Sequence, residues 1–126
     1  MSVVHHRYAT VDGRRVFYRE AGNPHAPAVV LLHGFPTSSF MFRNLIPELA
    51  DRYRVIAPDY LGFGYSDAPS VDDFDYTFDA LTDSVAGLLT QLGVTQYAMY
   101  VQDYGAPVGW RLALRDPAAV TAIVTQ

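Results

Sequence analysis

Three short apolar runs constrain this chain most: Val29-Val30-Leu31-Leu32, Arg54-Val55-Ile56-Ala57 and Ala98-Met99-Tyr100-Val101. They are too short for buried helices and lack the alternation of a half-solvated strand. Strands apolar at consecutive positions belong to a parallel sheet covered on both faces by helices. Between the second and third runs the hydrophobic period becomes helical. Phe78, Leu81, Val85, Leu88, Leu89 and Leu92 fall on one stripe, Thr77 is placed to cap its start and Gly93 to end it. This alternation predicts an α/β fold.

The flanks add an antiparallel element and an open end. Tyr8–Val11 and Val16–Glu20 bracket Asp12-Gly13, a hairpin signal. An earlier helix is expected from Ser38 or Ser39 towards Ala50, kinked or split by Pro47. Another is expected from Tyr104 to Arg115, where Pro117 blocks continuation, and Val120–Thr125 then reads as a strand. The sequence stops as that strand finishes. Residues 1–126 are therefore expected to be a partial core domain, truncated after its sixth strand, that self-associates through the unpaired Val120–Thr125 edge.

Composition excludes several classes. A chain of 126 residues, half of them apolar, builds one core. With a net charge of −4 and no basic run, neither a nucleic-acid nor a membrane partner is expected. No segment approaches the length of a spanning helix, and the opening MSVVHHRYATVDGRR has no hydrophobic stretch of a leader. A cytoplasmic protein is expected. The absence of cysteine excludes disulfides, thiolate metal sites and a cysteine nucleophile. No metal or cofactor is expected.

Each expected parallel strand is followed by a segment able to carry chemistry: His33-Gly34-Phe35-Pro36, Asp59 to Asp67, and Gln102-Asp103-Tyr104-Gly105. Active sites of open α/β sheets lie at those carboxyl ends. Asp103 sits between a strand and a helix, with Gly105 giving room for a sharp turn, as in a nucleophile elbow with Asp in place of Ser. Such a turn aims backbone N–H groups and a helix N-terminus at one point, where the amides of Phe35 and Tyr104 form the expected oxyanion hole. A lone Asp after a strand is more often a helix cap, and the two companion motifs argue for the nucleophile.

HGFPTSS, PDYLGFGYSD and VQDYGAPVGW, in this order and spacing, resemble the α/β-hydrolases, and within them the epoxide hydrolase and haloalkane dehalogenase group. The resemblance covers essentially the whole chain and implies a strand order of 1-2-4-3-5-6. It implies that Asp103 attacks an sp3 carbon of a small apolar epoxide or alkyl halide, giving an alkyl ester that a histidine-activated water hydrolyses. It also places that histidine, its acidic partner and the substrate lid in a C-terminal half beyond this sequence. An aspartate is ionised at neutral pH without a base, so only the second step needs one.

The remaining candidates have blander readings. His5, His6 and His25 read as solvated surface, while His33, Gly34 and Pro36 read as supporting the oxyanion turn, with Gly105 supporting the elbow. Asp59 and Ser66 read as turn stabilisers. Gly62-Phe63-Gly64 hints at a dinucleotide fingerprint, but Asp67 stands at the third glycine position. Trp110 and the many Tyr and Phe residues read as core. Dehalogenases of the group carry Trp after the nucleophile and Asn after His-Gly, where this chain has Tyr104 and Phe35. HGFP resembles epoxide hydrolases, whereas Val101 is closer to dehalogenases. Epoxide opening is the expected activity, with dehalogenation or a non-catalytic fragment as alternatives.

Overall fold

The computed structural model describes residues 3–126. Six strands form one sheet: β1 (His5–Val11), β2 (Arg14–Ala21), β3 (Ala28–Leu32), β4 (Arg54–Pro58), β5 (Tyr97–Val101) and β6 (Val120–Thr125). Their order is β1-β2-β4-β3-β5-β6, as the family resemblance implies. The hairpin β1–β2 turns at Asp12-Gly13, both at positive φ; β1 is longer than expected at its start and β2 at both ends. Strand β2 joins β4 antiparallel, and β4, β3, β5 and β6 run parallel.

Helices α1 (Leu45–Ala50), α2 (Phe78–Gln91) and α3 (Gly105–Arg115) complete the fold. Thr77 caps α2 by accepting from Ala80 N–H at 3.0 Å, which satisfies one orphan donor of the first turn. The helix expected from Ser38 is two pieces, a 3-10 turn at Ser39–Phe42 and α1. Pro47 explains the split: it is tolerated in the first turn of α1, where an N–H has no intrahelical partner, and not in a helix interior.

The sheet faces are unequally covered. Helices α2 and α3 pack on one face over Val30, Leu32, Ile56, Met99 and Val101. Among the described residues only α1 and the turn before it cover the other, around Leu31, Val55 and Phe42. Hence Ala98 and Tyr100 of β5 are half-buried, although their run reads as apolar on both sides. Among the described residues no helix is long and apolar enough to cross a membrane.

Candidate active site

Because β3, β4 and β5 are parallel, the segments that follow them converge at one end of the sheet. Closest approach is between the loop after β3 and the turn after β5. A Cβ on Gly34 would stand 2.6 Å from the Cβ of Asp103 and 2.2 Å from Oε1 of Gln102, so only glycine lets the two segments touch. Asp103 itself has φ 54°, a left-handed conformation that is unusual for a non-glycine residue and is held here by the turn. Two bonds close that turn: Gly105 N–H to Gln102 O at 2.8 Å and Ala106 N–H to Asp103 O at 3.0 Å. Neither uses the N–H of Tyr104.

The carboxylate of Asp103 is exposed, and its Oδ2 accepts from the Phe35 N–H at 2.9 Å. Phe35 precedes Pro36 through a cis peptide bond. The rings of Phe35 and Tyr104 lie 5.2 Å apart, and Tyr104 meets Phe78 edge-on at 5.0 Å. Beside them opens a cavity of about 840 Å³ whose walls include Phe35, Phe63, Tyr76, Phe78 and Tyr104. Sequence reading placed Phe35 and Tyr104 at the site through their backbone amides and assigned the other aromatics to the core, against which Phe63 and Phe78 do pack while Tyr76 is exposed. Phe35 is 57% exposed, in keeping with its place directly after His-Gly at a strand's carboxyl end.

His33 is fully buried and both ring nitrogens are engaged. Nδ1 lies 3.0 Å from the Gly34 carbonyl and Nε2 lies 3.2 Å from the Tyr60 N–H, which fixes the neutral tautomer protonated at Nδ1. Burial pushes its pKa below the usual imidazole value, against smaller opposing effects of the Gly34 carbonyl and Asp59. The unfolded chain therefore binds a proton, near its ordinary pKa of about 6.5, before the folded chain does. Stability should fall as pH drops below that value, by at most about 1.4 kcal/mol per pH unit. Thermal denaturation between neutral and mildly acidic pH should show this slope, and His33→Gln should flatten it. An unchanged slope would mean that His33 is protonated in the fold.

Asp59 and Ser66 hold the second loop. The Asp59 carboxylate accepts from Ser39 N–H at 2.7 Å and Tyr65 N–H at 2.9 Å, while Ser66 Oγ bridges Phe17 N–H and the Asp59 carbonyl. This is the turn role expected of both. Tyr60, which sequence reading did not single out, stacks on His33 at 4.0 Å. Burial, and after it the charge of Asp103, holds its phenol far above the ordinary range. Its hydroxyl has no hydrogen-bond partner among the described residues. Tyr60→Phe removes that unpaired group and should stabilise the fold by about 1–3 kcal/mol, read as a higher denaturation midpoint. Destabilisation would show that the hydroxyl is bonded in solution.

The profile of the alpha/beta hydrolase fold family matches residues 27–126. The chain belongs to the α/β-hydrolase fold family. It is 51% identical over 121 residues to an uncharacterised hydrolase of Saccharomyces cerevisiae, covering 96% of this chain and 41% of that protein. Haloalkane dehalogenase 2 of Mycobacterium tuberculosis is 37% identical over 110 residues, covering 87% of this chain and 37% of that one. The solved structure of epoxide hydrolase CorEH superimposes with a TM-score of 0.90 at 31% identity, covering 98% of this chain and 42% of that chain. This α/β-hydrolase chain thus spans about two-fifths of the length of the relatives it matches.

Proposed function

We propose that Asp103 is the nucleophile of an α/β-hydrolase that opens small apolar epoxides through an alkyl-ester intermediate. The observation that carries this reading is the exposed Asp103 carboxylate, set on a left-handed strand-to-helix turn with Oδ2 on the Phe35 N–H. That bond leaves Oδ1 to attack. A C–O bond of the epoxide breaks as the Oδ1–C bond forms, and the alkoxide released takes a proton from water. The ester carbonyl oxygen remains on the Phe35 amide. When water adds in the second step, the negative charge develops at that oxygen, where Phe35 and the adjacent Tyr104 amide serve as donors. The aromatic cavity beside Asp103 suits an apolar substrate body.

Alkyl-halide cleavage is the second reading, favoured by the identity to the mycobacterial dehalogenase. Side-chain chemistry supports the epoxide reading over it. Neither Phe35 nor Tyr104 offers the N–H that an Asn or Trp would aim at a departing halide. Incubation with paired epoxide and bromide substrates of one carbon skeleton, followed by intact-mass analysis, separates the readings. Faster labelling by the epoxide supports the first, faster labelling by the bromide the second, and no labelling by either removes both.

The same chain is proposed to self-associate. Among the described residues strand β6 pairs with β5 on one side only, and Ile123 and Val124 are 39% and 55% exposed along it. An unpaired apolar edge of this kind templates another strand. Light scattering of residues 1–126 should show mass rising with concentration. A monomer at every concentration would refute it.

A further inference from the structure

Away from Asp103, on the face of the hairpin that continues the α1 side of the sheet, Arg19 is only 6% exposed. Among the described residues no carboxylate pairs with it. Its Nε donates to Ser39 Oγ at 2.9 Å and its Nη1 to His6 Nε2 at 2.9 Å, both neutral acceptors. The nearest link to an acid is indirect, since Asp59 bonds the backbone N–H of Ser39 and not the guanidinium. Nη2 donates to nothing among the described residues. A guanidinium this buried ordinarily has an anionic partner, because removal from water without one is costly.

The surroundings of Arg19 form an open, aromatic-walled cleft. A cavity of about 390 Å³ is bounded by His6, Tyr8, Phe17, Arg19, Phe40 and Tyr65. The guanidinium lies over the rings of Phe17 at 5.3 Å and Phe40 at 5.6 Å. Two more cations lie on rings of its wall, Arg43 over Phe40 at 4.4 Å and Arg15 over Tyr8 at 4.7 Å. Arg15 is paired with Asp67, at 3.7 Å, and Arg43 has no acidic partner among the described residues. Three of the nine basic residues of a chain with net charge −4 thus line this aromatic cavity or lie on its wall rings.

We propose that this cavity binds a small aromatic carboxylate, with the carboxylate accepting from Nη2 and the second hydrogen of Nη1 of the Arg19 guanidinium and the ring among Tyr8, Phe40 and Tyr65. Planarity decides the anion. A guanidinium edge matches two carboxylate oxygens with parallel N–H···O bonds, and its burial leaves that attraction little screened by salt or water. The walls decide the body. Rings at Tyr8, Phe40 and Tyr65 are 48%, 54% and 65% exposed, and edge-to-face packing covers an aryl ring where a hydrated ion would leave them bare.

Benzoate and its neutral isostere benzamide test the assignment by calorimetry and thermal shift on the whole chain. Benzoate should bind saturably at one site per chain and raise the melting temperature, and benzamide should bind at least tenfold more weakly. Tyr65→Glu, at an exposed position of the rim, sets a resident carboxylate against the cations and should reduce benzoate affinity at least tenfold without loss of fold. Arg19→Gln should do the same if it folds, and Tyr65→Glu decides the matter if it does not. Equal binding of benzoate and benzamide, undiminished benzoate binding by Tyr65→Glu, or no binding at millimolar benzoate overturns the proposal.

Discussion

Incubated with a reactive epoxide, residues 1–126 are expected to gain the mass of one substrate at Asp103, and Asp103→Asn is expected to gain none. The first step asks little of the protein. A carboxylate nucleophile needs no base to activate it, the turn holds it at the surface of the sheet, and the Phe35 amide is already on one oxygen. Asn keeps the size and the acceptor for that amide, so the fold should survive while the nucleophile is lost.

Release of the product is a different requirement. Hydrolysis of the ester needs water deprotonated by a positioned base, a contribution of about 10²–10⁴-fold. His33 has both nitrogens occupied within the fold. His25 precedes β3, at the end of the parallel strands opposite Asp103. His5 and His6 lie on β1, four strand spacings from β5, or about 19 Å. The adduct should therefore accumulate, with no sustained turnover by these residues alone. Multiple turnovers would return the role of base to one of these histidines, and an adduct on the Asn variant would remove Asp103 as the nucleophile.

How much of this was legible in the sequence follows from which forces are local. The parallel strands were readable because burial on both faces imposes unbroken apolar runs, and α2 because its stripe, cap and terminating glycine agree. Pro47 marked the break before α1, although its position in the first turn could not be told from a kink. The strand order came from family resemblance, since no residue pattern states which parallel strand neighbours which. Candidate site residues were readable as motifs at strand ends. What joined them was not: the contact of Gly34 with Asp103 spans the chain from residue 34 to residue 103 and exists only once β3 and β5 pair. The exposure of Tyr76 on the cavity wall was missed for the same reason, because composition does not distinguish a ring inside the core from one on a cavity wall.

Gly105→Ala is expected to remove most of the reactivity of Asp103 while changing neither its charge nor its immediate neighbours in sequence. Gly105 is buried as the first residue of α3, and a methyl there would stand 2.2 Å from the carbonyl oxygen of Leu32 and 2.9 Å from its carbon. Both are backbone atoms at the end of a central strand. That carbonyl also accepts from the Gln102 N–H at 3.3 Å, which ties the turn to β3. The added atom cannot be absorbed by a side-chain rotation, so either α3 lifts or the end of β3 moves. Overpacking of this kind costs about 1–3 kcal/mol, a substantial part of the roughly 5–15 kcal/mol that holds a domain together. Either movement also shifts Asp103 relative to Phe35, and a misplacement of about 1 Å lowers reaction rates by roughly 10²-fold. Denaturant midpoints measure the first effect. Adduct formation followed by intact mass, at a temperature where the variant remains folded, measures the second. Wild-type stability together with a wild-type labelling rate would mean that α3 stands away from Leu32 in solution, and the positioning assigned to the turn would fail with it.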